Sequence, residues 1–102
     1  MPTKAQVDDF YTSLGGRVQR GRKRANLSQA ELAERLGLTR ASIANLEAGR
    51  QRPSALHAAI LADVLDVPLQ DLLPQAPGMA DPVQEAKEEL RERARSWAGS
   101  IT

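Results

Sequence analysis

The fold is decided by residues 27–50, which read LSQAELAERLGLTRASIANLEAGR. Ser28 and Glu31 have the spacing of a capping box, in which the hydroxyl accepts a backbone N–H of the first turn and the carboxylate accepts the N-cap N–H. This spacing predicts a helix that begins at Gln29. Gly37 is expected to end that helix, because a left-handed residue closes many helices and only glycine adopts that conformation at little cost.

A second short helix is predicted directly after the turn, with Thr39 as its N-cap. Its inward positions are Ile43 and Leu46, three residues apart. Two helices joined by so short a turn are typical of a helix-turn-helix, whose second helix enters the major groove of DNA. A structural corner with no role in DNA binding is the alternative interpretation. The other side chains of this helix are short or hydrogen-bonding and suit base edges: Arg40, Ala41, Ser42 and Asn45.

Helical periodicity outside the motif predicts an all-α bundle of about five helices with an aliphatic core. The chain has only three aromatic residues and no alternating strand pattern, which argues against a sheet. The repeating apolar positions are Phe10, Leu14, Val18 and Ala25 before Asn26, Leu56, Ile60, Leu61, Val64 and Leu65 after Pro53 and Ser54, and Leu69, Leu72 and Leu73 before Pro74. Residues 1–74 are therefore expected to form one domain.

Residues 75–81 are predicted to be a linker and residues 82–102 a C-terminal amphipathic helix, because prolines interrupt the helical pattern before Pro82 restarts it. A narrow apolar stripe predicts that this helix packs on another surface. We expect it to be an assembly element that contacts a second subunit or a protein partner, and docking onto the bundle is the alternative. The stripe consists of Val83, Ala86, Leu90, Ala94 and Trp97.

Charge is distributed unevenly along the chain, although its net value is only +1. Residues 1–52 contain ten Lys or Arg and five Asp or Glu, whereas residues 53–102 contain four and eight. Because attraction to polyanions comes from local fields, the basic half, which contains the motif, favours a DNA partner. Four basic side chains of the first helix either add to that field or only solvate its surface: Arg17, Arg20, Lys23 and Arg24.

Other classes of function find little support in the sequence. There is no Cys, His57 is the only His, and no glycine-rich loop follows a strand, so we expect no enzyme, no metal site and no cofactor. RNA is a less suitable partner than double-stranded DNA, because RNA-binding modules stack bases on aromatic side chains. The first residues lack a signal-peptide pattern and no apolar stretch is long enough to span a membrane, so a cytoplasmic protein is expected.

From about Gly16 to Leu73, the sequence resembles the Xre/Cro-type helix-turn-helix family of lambda-repressor-like domains. This family includes phage repressors, restriction-modification controller proteins and some antitoxins. The resemblance implies a sequence-specific transcriptional regulator of double-stranded DNA, acting as a repressor and as a homodimer on a palindromic operator. The alternative is an antitoxin or partner-binding module whose C-terminal segment binds another protein, with DNA binding for autoregulation.

The resemblance also implies roles for single residues. Arg40, Ala41, Ser42 and Asn45 would face bases, while Gln29, Thr39, Arg50 and Arg52 would contact or position the phosphate backbone. Arg22 and Glu47 match two positions that form a structural ion pair between the first and third helices in this family. We prefer this interpretation to a catalytic acid–base pair.

Gly21 departs from the family pattern, which places a larger apolar residue such as Leu at this position. A glycine in a helix interior costs about 1 kcal/mol relative to Ala. Phe10, Tyr11 or the C-terminal helix are the candidates to fill the space.

Overall fold

The computed structural model describes the backbone of residues 1–77 and 82–101, and the side chains of residues 1–77 and 86–96. These residues form six α-helices and no strand, which confirms the predicted all-α class with five bundle helices and a C-terminal helix. The helices are α1 (Lys4–Arg24), α2 (Gln29–Leu36), α3 (Arg40–Glu47), α4 (Ala55–Val64), α5 (Leu69–Leu72) and α6 (Pro82–Ile101). Residues 78–81 of the expected linker lie outside the described part.

The predicted capping box is present at the start of α2. The Glu31 N–H donates to Ser28 Oγ at 3.0 Å, and the Ser28 N–H donates to Glu31 Oε1 at 3.1 Å. The second of these bonds is the main reason that the pKa of Glu31 lies below its usual value. At the other end, Gly37 has φ 67°, so the left-handed residue that ends the helix lies where the sequence predicts it.

α1 begins earlier than its apolar periodicity indicates. Thr3 and Gln6 form a second capping box, with the Gln6 N–H donating to Thr3 Oγ1 at 3.2 Å and the Thr3 N–H donating to Gln6 Oε1 at 2.9 Å. The helix closes before Asn26, which adopts φ 58°. A 21-residue helix results, long enough to pack on both α3 and α5.

One aliphatic core lies between the five bundle helices. Its largest fully buried side chains come from α1, α2, α3 and α4 and are Val18, Leu32, Ile43, Leu46 and Leu61. Leu56 differs from the expectation: although it belongs to the apolar series of the fourth helix, 68% of it is exposed. Only some of the apolar residues of α4 are therefore buried in the core.

Two glycines permit close approaches that the sequence pattern does not reveal. A Cβ at Gly15 would overlap the backbone oxygen of Leu46 and lie 2.5 Å from that of Glu47, so α1 passes directly over the last turn of α3. Gly49 has φ 80°, and a Cβ there would lie 2.8 Å from Thr12 Cα. Larger residues at either position would push α1 away from the helix-turn-helix.

The space beside Gly21 is filled by Leu65. A Cβ at position 21 would meet Leu65 Cδ1 at 3.1 Å, and Leu65 itself is buried. The filler is therefore none of the three candidates considered from the sequence. Phe10 and Tyr11 instead contact each other edge to face, with ring centroids 5.1 Å apart.

The stripe of α6 is exposed wherever its side chains are described. Leu90 is 63% exposed, and Ala86 and Ala94 are also exposed. The side chains of Val83 and Trp97 lie outside the described residues. An i,i+4 ion pair on the surface of this helix joins Arg93 Nη2 to Glu89 Oε1 at 3.1 Å.

Candidate DNA-binding site

α3 presents one buried face and one accessible face. Ile43 and Leu46 are buried in the core, with exposures of 0% and 2%. On the other side Arg40 and Ala41 are exposed, while Ser42 and Asn45, the two other residues expected to face bases, are partly exposed. The structure therefore brings all four onto the accessible side of one short helix.

Thr39 and Ser42 form a polar pair at the N-terminus of α3. The Ser42 N–H donates to Thr39 Oγ1 at 3.1 Å, and the two hydroxyl oxygens are also 3.1 Å apart. This end of a helix carries a partial positive charge and attracts anions such as phosphate. The pair can therefore orient a hydroxyl donor beside a DNA backbone without a charged side chain.

Asn45 and Arg50 contact each other, although the sequence assigns them to different roles. Arg50 Nε donates to Asn45 Oδ1 at 3.1 Å, and the Arg50 N–H donates to the Asn45 carbonyl at 2.9 Å. The side-chain bond uses the amide oxygen as an acceptor, so the amide N–H groups of Asn45 can donate to other acceptors. Sequence analysis missed this contact, because it depends on the turn at Gly49.

Arg52 is held against α1. Its guanidinium carbon lies 4.7 Å from the centroid of the Tyr11 ring, within the range of a cation–π contact. Because the side chain remains exposed, it keeps donors for a phosphate while its position is fixed. The structure thus gives Tyr11 a positioning role that no sequence signal indicated.

A buried network joins α1, α2 and α3 at Glu47. Arg22 Nε donates to Glu47 Oε2 at 2.6 Å and Arg22 Nη2 to Oε1 at 3.1 Å. Gln29 Nε2 donates to the same Oε1 at 3.0 Å, and Arg22 Nη1 donates to the Leu27 carbonyl at 2.9 Å. The hydrogen bond with Glu47 is the main reason that the pKa of Arg22 is raised. The arrangement fixes the last residue of α3 to the two preceding helices.

The described residues contain no group of His, Asp and Glu side chains that could hold a metal ion. Within the same residues, no helix is long and apolar enough to cross a membrane. The chemistry available at the accessible face of α3 is hydrogen bonding by neutral and cationic donors, which matches the acceptors of DNA bases and phosphates.

The fold and this face define a helix-turn-helix protein. The helix-turn-helix family model matches residues 18–72, more than half of the chain, and the chain belongs to this family. It is 46% identical over 48 residues to an uncharacterised HTH-type transcriptional regulator of Methanothermobacter thermautotrophicus, an alignment that covers 47% of this chain and 70% of that protein. It is accordingly a DNA-binding transcriptional regulator of the Xre type, as the resemblance predicted, and its family is one of regulators rather than enzymes.

Solved structures show the same arrangement of helices. The restriction-modification controller protein C.AhdI from Aeromonas hydrophila is similar with a TM-score of 0.58 and 30% identity, covering 62% of this chain and 96% of that one. The DNA-binding domain of BldD from S. venezulae is similar with a TM-score of 0.58 and 26% identity, covering 65% of this chain and 99% of that one. Each of these alignments covers nearly all of the solved chain and a little under two thirds of this one.

Proposed function

We propose that this protein is a sequence-specific repressor that binds a palindromic operator as a homodimer. The observation that carries the proposal is the division of α3 into a core face and an accessible face of hydrogen-bonding side chains, with its last residue fixed by Arg22 and Gln29. A rigidly held helix with such a face suits direct contact with base edges in the major groove.

Arg40 and Asn45 supply the sequence-reading contacts in this proposal. Arg40 is exposed at the first turn of α3, and its paired N–H donors match the O6 and N7 acceptors of guanine. Asn45 lies one turn further along and offers its amide N–H groups while Arg50 holds its oxygen. Ala41 and Ser42 line the same face and suit thymine methyl groups or polar base edges.

Phosphate contacts position the protein in this proposal without specifying a sequence. Thr39 lies at the positive end of α3, and Arg50 and Arg52 follow its C-terminus as exposed cations. Gln29 combines two roles: its amide nitrogen donates to Glu47, and its position as the first residue of α2 places it where backbone phosphates approach a helix N-terminus.

A homodimer follows from the size of the reading element. One α3 of eight residues contacts too few base pairs for specificity in a genome, so two copies on half-sites about 34 Å apart are needed. The exposed stripe of α6 supports a role for that helix in assembly, because 63% exposure of Leu90 leaves apolar area to be covered. Repression results if such a dimer occupies a promoter.

The same exposed stripe favours a second candidate function, in which α6 binds a different protein and the DNA-binding domain provides autoregulation. An antitoxin is an example of this organisation. The two candidates differ in what covers Leu90: a second copy of the chain in the first, and an unrelated protein in the second.

A selection experiment tests the proposal. The full chain is incubated with a pool of duplexes that carry a randomised central segment, and bound duplexes are sequenced over successive rounds. The expected result is an inverted repeat, bound with two chains per duplex when the complex is sedimented. The variant Asn45→Ala keeps the core face of α3 and removes one proposed base contact, so it should lose part of the consensus. Enrichment of no sequence, or one chain per duplex at saturation, would contradict the proposal.

A further inference from the structure

A basic cleft lies between α1 and α5. It has a volume of about 390 Å³ and is lined on the α1 side by Arg17, Arg20 and Arg24. These residues are spaced by three and four, so they share one face of the helix. Gly15, which touches α3, is roughly 200° of helix rotation from Arg17. The cleft is therefore separate from the accessible face of α3.

The described residues that line this cleft carry a net positive charge. Residues 10–30 contain no Asp or Glu, and Arg20 and Arg24 are exposed and form no ion pair with any described residue. Asp71 is the single acidic residue among those that line the cleft. Since like charges at i and i+4 repel each other, an anion that bound between them would relieve a repulsion that the free protein carries.

One guanidinium group of the cleft is held in place, and buried residues contribute to the lining. Arg17 Nη1 donates to the carbonyls of Asp71 and Leu73, each at 3.2 Å, which anchors this guanidinium at the end of α5. Gly21 and Leu72 are buried and also line the cleft. Buried protein next to positive charges lowers the local dielectric and strengthens their attraction for an anion.

We infer that this cleft binds a small anion that carries several phosphate groups, such as tripolyphosphate or the phosphate chain of a nucleotide. A planar guanidinium group can donate two parallel hydrogen bonds to the oxygens of a phosphate. Three guanidinium groups offer more donors and more positive charge than a single phosphate can use. The volume lies within the range of about 300–1,000 Å³ that is usual for ligand sites. A duplex that bound to the accessible face of α3 would lie on the other side of α1, so we do not expect its backbone to reach this cleft.

Calorimetric titration of the full chain with tripolyphosphate tests the inference in the absence of DNA, so its outcome is independent of the proposed function. Arg20→Gln and Arg24→Gln each remove one guanidinium from the cleft. Lys23→Gln is the matched control, because Lys23 is exposed, belongs to the same helix and does not line the cleft. We expect each Arg variant to weaken binding by roughly tenfold or more and the control to change it by less than about threefold.

Thermal unfolding gives a second readout from the same variants. In the wild-type protein, saturating tripolyphosphate should raise Tm by about 10 °C, since a ligand at about 100 times its Kd stabilises the folded state by roughly 2.7 kcal/mol. Inorganic monophosphate at the same concentration should give a much smaller rise. Because both Arg side chains are exposed and repel each other, neither variant should have a lower Tm than the wild-type protein when no ligand is present.

Three results would overturn the inference. The first is the absence of both heat and Tm shift with tripolyphosphate at near-physiological salt. The second is an equal loss of binding in the Arg20, Lys23 and Arg24 variants, which would show diffuse attraction to a basic helix. The third concerns the other source of phosphate: if the Arg variants lower the salt dependence of binding to a mixed-sequence duplex and leave tripolyphosphate binding unchanged, the surface contacts a DNA backbone.

Discussion

Arg22 and Glu47 join the first and third helices through two hydrogen bonds on one carboxylate, with side-chain exposures of only 10% and 3%. Removing one partner of a buried pair leaves the other charge desolvated and unpaired, which costs about 3–5 kcal/mol. We expect Glu47→Ala to lower the free energy of unfolding by an amount in this range, measured by urea denaturation of the full chain.

The exposed pair on α6 provides the control for that measurement. Glu89 and Arg93 are both more than half exposed, so Glu89→Ala should change stability by no more than about 1 kcal/mol. Equal losses in Glu47→Ala and Glu89→Ala would contradict the structural role assigned to the buried pair.

Two neighbouring glycines should respond in opposite directions to the same substitution. Gly15→Ala places a methyl group against the backbone oxygens of α3 and should destabilise the protein by about 1–3 kcal/mol, because backbone has to move. At Gly16 the nearest atom to an added Cβ is Arg20 Nη1 at 3.4 Å, the end of a flexible side chain. Gly16→Ala should therefore stabilise α1 by up to about 1 kcal/mol. Thermal unfolding distinguishes the two, and equal effects would argue against close packing of α1 on α3.

Arg40→Ala should relax sequence preference at one base pair of each half-site. The expected loss of affinity is about 1–3 kcal/mol per half-site on the preferred sequence, with a smaller loss on duplexes that already lack the guanine. Binding measured on the selected operator and on single-base variants decides the matter. A uniform loss on every duplex would instead assign Arg40 to the phosphate backbone.

Arg50 should affect both salt dependence and sequence preference. Arg50→Ala removes one proposed phosphate contact in each half-site, so the magnitude of the slope of log K against log salt should fall by about 0.9 per half-site. The change also frees Asn45 Oδ1, which should alter the base preferred at the Asn45 position. Arg50→Lys is the matched variant: it keeps the charge, and hence the slope, but lacks the planar donor that holds Asn45. An unchanged slope in Arg50→Ala would show that Arg50 contacts no phosphate.

Leu90→Glu should dissociate the proposed homodimer without unfolding the monomer. Covering a leucine is worth about 1.5–3 kcal/mol, so the dimer Kd should rise roughly tenfold or more in sedimentation experiments. Leu56→Glu is the control, because Leu56 has a similar exposure on α4. If only the Leu56 variant dissociates the dimer, the dimer interface lies on the bundle and not on α6. If neither variant has an effect, the exposed stripe of α6 contacts a different partner.

The parts of the fold that were predicted from sequence are those with local signals. Each of these signals acts on backbone within one helical turn. They are the capping box of Ser28 and Glu31, the helix-ending Gly37 and the N-cap Thr39, and the structure has each in the expected place. The class of helix bundle follows from such signals together with helical periodicity. In the candidate site, the accessible residues of α3 were also identifiable, because they are what remains after Ile43 and Leu46 are assigned to the core.

The parts that were not predicted depend on contacts between distant segments. Gly21 is visible as an anomaly in sequence, but the residue that fills its space, Leu65, comes from the end of α4. The cation–π contact between Arg52 and Tyr11 likewise joins residues that are far apart in the chain. No periodicity or spacing encodes such pairs, since they follow from how helices cross.

The anchoring of α3 at Glu47 also determines which partner has to adapt during recognition. Donors from two other helices fix the carboxylate, and the backbone at Gly15 presses on the carbonyls of the same turn. In the proposed dimer, a helix held in this way would resist tilting to follow an irregular groove, so we expect the deformation to fall on the DNA. Flexible base-pair steps between the two half-sites should then raise affinity, although no side chain touches them.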